Sequence, residues 1–387
     1  MVLGFSLLPL TSVTPNPTES DGIISAVLPL ASTDRPSFRH YLIVEFYMTN
    51  RLTALMKHTP TYPISFAGLC AAALLLSLAP ANAAPAHLKA DEPILVPDSK
   101  GRFDFIQVDS VARRLLANHT QNATLDVFDL DSGKLLKHCA TGAAQGVGVD
   151  EKGGKYYVGV SKEQKLVTID AKTLEKTGEV ALTGPADDAL FCPKNGRVYV
   201  CHDDGKEVWV IDPAAGKIVA SVAIGEAPEV LVYDAGAGRI YQNIKTTAMV
   251  SVIDPATNKV EHDWSVQPAT GPHGLAFDPA THRLFVAGAN GKLAVLDSAS
   301  GKLITTVAIP NGVDQIAIDT ALQRIYCPSG NGTLTVIQET AAGAESAGEL
   351  PIAKGCRSVA VDPKTHAVWI AYAEGEKSFI RRFTPEK

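Results

Sequence analysis

Residues 209–224 read WVIDPAAGKIVASVAI, and residues 294–309 read AVLDSASGKLITTVAI. Each is a strand, a turn and a strand. The flanks alternate apolar and polar residues with period two and are rich in β-branched side chains. In the first copy Asp212 opens the turn through its side-chain acceptor, Pro213 pre-sets φ, and Gly216 accepts the positive φ that ends it. Asp254–Asn258 and Asp297–Gly301 use the same chemistry.

A second hairpin precedes each copy: VLVYDAGAGRIYQN at 230–243, LAFDPATHRLFVAG at 275–288 and SVAVDPKTHAVWIA at 358–371. Its turn begins at Asp109, Asp150, Cys192, Asp234, Asp278, Asp319 and Asp362, in steps of 41 to 44 residues. The other hairpin's marker, at Asp129, Asp170, Asp212, Asp254, Asp297 and Gln338, keeps steps of 41 to 43. Four short antiparallel strands per ~40–45 residues is the signature of a propeller blade, which must stack on neighbours to bury its faces. Seven markers predict an all-β, seven-bladed β-propeller over residues 92–387. The seventh copy is one strand short, and EPILVP at 92–97 has no hairpin partner. This N-terminal strand is expected to close the ring as the outer strand of the last blade, removing two exposed sheet edges.

Lys155-Tyr156-Tyr157-Val158, Arg197-Val198-Tyr199-Val200, Arg283-Leu284-Phe285-Val286 and Arg324-Ile325-Tyr326 each open a second strand, and VIDPxxxK-type turns follow. With these features the chain resembles the YVTN-repeat β-propellers, a WD40-like repeat group, and in particular the exported YncE-like proteins. The intact Tyr-Val-Thr-Asn tetrad occurs nowhere. The resemblance implies a periplasmic or secreted binding scaffold and transfers no catalytic residue.

The N-terminal region reads differently. From Met56 the chain has a positive residue, Lys57, an apolar run from Phe66 to Leu78, and the small-residue site Ala81-Asn82-Ala83. That is the pattern of a secretory signal peptide. The apolar run is too short for a membrane span, and Leu69 before Cys70 does not fit a lipid anchor. Residues 48–83 are therefore expected to be removed near Ala83, leaving 84–91 as a short linker and no membrane-embedded segment. Residues 1–47 are expected to be disordered or untranslated, with the true start at Met48 or Met56. Five cysteines follow the signal: Cys139, Cys192, Cys201, Cys327 and Cys356. An odd count cannot fully pair, and no CxxC occurs, so buried lone thiols are expected.

The net charge is −6 with 20% charged residues and no Lys/Arg-rich run. Nucleic acid is therefore not an expected partner. The expected partner is a small molecule or an envelope protein or peptide, bound by a monomer.

Function should show where equivalent positions of the repeats carry unlike polar groups. Three residues and one residue before each first-hairpin marker the chain is apolar in every copy. Five residues before it stand Asp104, Gln145, Asp187, Glu229, His273, Asp314 and Arg357. These are expected to ring one mouth of the central channel and to bind ligand. With a four-residue hairpin loop, index sums place Asp104 opposite His119, Asp187 opposite His202, and Arg357 opposite Tyr372. Clustered carboxylates and imidazoles can hold a divalent metal or supply a general acid and base. The metal set read this way is Asp104, Asp187, Glu229 and His202, with Ca or Mg ahead of Zn. The alternative to a binding scaffold is a metal-dependent hydrolase or lyase of the lactonase or streptogramin-lyase kind, with His273 as its catalytic acid/base. No covalent or axial-ligand motif supports a quinone or haem cofactor.

Overall fold

The computed structural model describes residues 87–386, together with two strands, Ile23–Pro29 and Tyr41–Tyr47, that pair antiparallel. The chain divides into two units, Met1–Ala81 and Asn82–Lys387, and the second carries all seven repeats. The expected signal peptide and its cleavage site lie outside the described residues. Among the described residues no helix is long and apolar enough to cross a membrane.

Seven antiparallel sheets follow one another along the second unit. Blade 1 runs from Ile106 to Ala140, blade 2 from Ala144 to Ala181, and blade 3 from Ala186 to Ala223. Blades 4, 5 and 6 span Pro228 to Ser265, Pro272 to Ala308 and Ala317 to Pro351, and blade 7 begins at Ser358. Within each blade the strands pair in chain order, the first being innermost. The inner strands of successive blades pack side by side, and that of blade 7 (Ser358–Val361) meets that of blade 1 (Ile106–Asp109). The chain is a seven-bladed β-propeller.

The turns obey their sequence chemistry. Asp212 Oδ1 accepts from Ala215 N at 2.9 Å, and Asp297 Oδ1 accepts from Ser300 N at 2.8 Å. Gly216 and Gly301 end these turns at φ +63° and +69°, where a residue without Cβ is at no disadvantage.

The blade interfaces are filled from the second strands. Tyr157, Tyr199, Tyr241, Phe285, Tyr326 and Trp369 stand seven residues after their markers, and all are buried. Two of the hydroxyls tie neighbouring blades together. Tyr199 of blade 3 donates to Asn258 Oδ1 at 2.6 Å in a turn of blade 4, and Tyr241 of blade 4 donates to Ser298 O at 2.9 Å in blade 5. All five cysteines are free and buried.

The ring closes through the N-terminal segment, in two pieces rather than as one strand over 92–97. Leu88–Ala90 pairs with Phe383–Pro385, and Ile94–Leu95 pairs with Phe379–Ile380. The closing strand therefore starts before the expected boundary. Pro93, which has no N–H for the ladder, lies in the gap. Side chains strengthen the seam. Asp126, fully buried in blade 1, holds His119 Nδ1 and His138 Nδ1, each at 2.7 Å. The far nitrogens of these rings reach Gly101 O at 3.1 Å and Pro97 O at 3.0 Å.

Candidate binding site at the hub mouth

The inner strands are not regular. Ala186 pairs with His202 and Ala189 with Val200, so Asp187 and Asp188 together oppose Cys201. The same two-against-one bulge occurs at 145–146, 229–230 and 273–274. A bulge re-aims side chains and is often found beside functional sites. Here it holds Gln145, Asp187, Glu229 and His273. The neighbouring blade's second strand secures the bulge backbone: Cys201 Sγ lies 2.8 Å from Glu229 O, and Asn243 Nδ2 donates to His273 O at 2.8 Å.

In blade 3 the bulge corrects the expected pairing of Asp187 with His202, because beyond it the index sum shifts by one. His202 faces Ala186 instead of Asp187. Its ring stacks on Trp209 with centroids 4.4 Å apart, and its Nδ1 lies 3.6 Å from Glu207 Oε1, so it is not grouped with the metal set read from register. His119 does not face Asp104. It is fully buried against Phe103 and Asp126, in the seam. Tyr372 stacks on Phe379 inside the last blade. Gln145 accepts from Thr120 Oγ1 at 3.1 Å.

The remaining ring residues come together. One carboxylate oxygen each from Glu229 and Asp314 and a ring nitrogen of His273 all lie within 4.8 Å of one another. Asp104 shares their field. Burial pushes its pKa up to about 7, and the charges of Asp314 and Glu229 add to this against the pull of Arg102. Asp187 is driven well above the ordinary carboxylate range by burial and then by Glu229 and Asp104. Asp188 rises to about 7, chiefly by burial, although Leu231 N and Ala189 N donate to it. Arg357 lines a pocket of about 340 Å³ with Arg102, Asp104 and Asp314.

Lys245 is a member of the site that the sequence reading missed. Its ammonium stands 3.1 Å from Glu229 Oε2, 3.0 Å from Asp203 and 3.3 Å from Asp204. The signal was available: Asp203 and Lys245 occupy the same place, eleven residues after their markers, in successive blades.

Below the mouth the hub lining mixes apolar side chains with polar groups that include Gln107 and Asp188. A cavity of about 310 Å³ is walled by residues that include Phe105, Val147, Phe191 and Leu231. A second cavity of about 510 Å³ opens beyond it among Val108, Tyr233, Phe277 and Ile318. Gln315 lines both cavities. Its side-chain oxygen accepts from Ile106 N and Val359 N at 3.1 Å each, and its amide nitrogen donates to Ile106 O at 2.8 Å.

Comparison with solved structures gives a hydrazine synthase from Kuenenia stuttgartiensis as similar, with a TM-score of 0.63 at 14% sequence identity. The match covers 72% of this chain and 94% of that one, and it shows the fold alone. No family model matches the chain. No curated protein matches it either.

Proposed function

We propose that this chain is an exported propeller of the YVTN-repeat, YncE-like kind that binds a small cationic ligand at the acidic mouth of its hub. The signal-like segment at 48–83 supports export, and the aromatic position repeated in the second strands supports the kinship. The observation that carries the binding reading is the concentration of Asp104, Asp187, Glu229 and Asp314 in one mouth, buried enough that Asp104 and Asp187 resist ionisation. Carboxylates held this way lower their energy when a cation arrives. Rigid strands fix them in place, as a binding site requires.

The second reading, a metal-dependent hydrolase or lyase with His273 as acid/base, is favoured by one observation. His273 stands beside Glu229 and Asp314, where an imidazole could serve an ion or a proton transfer.

A thermal-shift panel at low ionic strength tests the binding reading, using Mg2+, Ca2+, Mn2+, Zn2+ and an organic diamine. The expected result is a rise in Tm with at least one cation that is lost in Asp187→Asn. A panel with no response would overturn it. Lactone hydrolysis abolished by His273→Ala would move the conclusion to the enzyme.

A further inference from the structure

The mouth holds one arrangement more specific than its charge. His273 Nδ1 lies 2.8 Å from Gly271 O. A carbonyl only accepts, so Nδ1 carries the hydrogen and the neutral ring keeps its lone pair on Nε2. Metal-binding histidines are commonly oriented in this way, by a carbonyl accepting from the nitrogen that does not bind. Glu229 supplies a second, independent feature. It is 6% exposed, and its buried Oε2 faces the Lys245 ammonium at 3.1 Å. One oxygen of the same carboxylate belongs to the group that includes Asp314 and His273.

We propose that Glu229, Asp314 and His273 bind a first-row transition-metal dication such as Zn2+, with Lys245 as the built-in cation that neutralises Glu229 when the ion leaves. Zn2+ takes carboxylate and imidazole ligands at about 2.0–2.2 Å in a tetrahedral arrangement, so its donors stand ~3.4 Å apart. Donor atoms within 4.8 Å reach that spacing by small side-chain adjustments. The imidazole decides the class of ion. Two carboxylates alone suit Ca2+ or Mg2+, whereas a neutral ring nitrogen favours Zn2+ and its neighbours. The order read from the carboxylate-rich set is thereby reversed. Lys245 retains Asp203 and Asp204 as partners once it releases Glu229, so displacing it strands no charge.

This inference rests on the cationic-mouth reading and narrows it, so the test must separate the two. The metal-stripped chain is titrated with Zn2+ and with Ca2+ by calorimetry, and with Co2+ by visible absorption, which reports ring-nitrogen ligation. The expected result is one Zn2+ per chain, with Ca2+ at least tenfold weaker. His273→Gln and Asp314→Asn should each weaken Zn2+ about tenfold or more, while Lys245→Met tightens it. Equal affinity for Zn2+ and Ca2+, or Zn2+ binding indifferent to His273→Gln in a variant of unchanged Tm, would overturn the proposal and leave the broader reading standing. Failure of every cation, the diamine included, would remove both.

Discussion

Arg113 of blade 1 grips Asp362 of blade 7 through two parallel contacts of 2.6 Å each, joining the first and last blades across the ring seam. The carboxylate is 1% exposed. Burial alone would push its pKa up, but the hydrogen bonds from Arg113 and Thr365 outweigh that and hold it at about 2. Removing the guanidinium leaves a buried charge unpaired, which costs about 3 kcal/mol or more. Arg113→Met should therefore lower stability by that order in a denaturant titration. A lowered folded-state pKa gives stability that is complete above the unfolded value near ~4 and lost as pH falls through the folded one. The deficit of the variant should then be full at pH 5–8 and shrink toward pH 2. A deficit that does not vary with pH would show that lost packing, rather than the ion pair, is responsible.

The closing strand invites a truncation. Deleting residues up to 98 removes both closing pieces, Leu88–Ala90 and Ile94–Leu95, and bares the edge of Lys377–Pro385. An unpaired edge is both a lost ladder and a template for association. The expected outcome is a drop in Tm of several degrees with concentration-dependent light scattering. A Tm equal to that of the parent would refute the closure role.

The matching turns at 212–216 and 297–301 should respond unequally to the same substitution. Gly216 and Gly301 share a positive φ, and a Cβ on Gly216 would meet nothing within 4 Å. On Gly301 it would fall 2.2 Å from Trp264 Cγ of the preceding blade. Gly216→Ala should cost about 1 kcal/mol, the left-handed backbone penalty. Gly301→Ala should cost clearly more, because the indole must move. Equal costs would mean that Trp264 yields freely.

The hub carboxylates should make the ion-free protein more stable in mild acid. A carboxyl whose folded pKa is raised contributes stability that is present below its unfolded value and lost as pH rises through the folded one. For Asp104 that window runs from ~4 to about 7, and Asp187 shifts in the same direction. Asp187→Asn and Asp104→Asn should each raise Tm at pH 8, by roughly 1–2 kcal/mol of stability, and change little at pH 4. Destabilisation at pH 8 would contradict the crowding of charge in the mouth.

The blade count, the turn residues and the interface aromatics were legible because each is a local pattern repeated every ~42 residues. Asp212, Gly216 and Tyr199 act through neighbours that the period itself supplies. The mouth was only half legible. Equivalent positions pointed to Asp104, Glu229, His273 and Asp314, each five residues before its marker, and these four lie near one another in the structure. Cross-strand partners failed because a bulge adds one residue without a distinctive side chain to mark it. His202 was therefore read opposite Asp187, when its ring lies flat on Trp209. The role of His119 was hidden for another reason: its partners, Gly101 and Ser378, meet only when the chain ends are brought together at the seam. Ion pairs between blades, such as Lys245 with Asp203, become visible only when positions after the second strand are compared in the same way.

The recurring bulge also bears on how such a molecule can acquire new uses. Each one swings a side chain into the lumen, while the residues that pack one blade on the next stay where they were. The mouth is thus a set of interchangeable sockets on a frame whose blade-to-blade packing does not involve what fills them. Exchanging a carboxylate for an imidazole or an amide in a single blade alters what the opening attracts and leaves the wheel intact, so selectivity can drift one sector at a time.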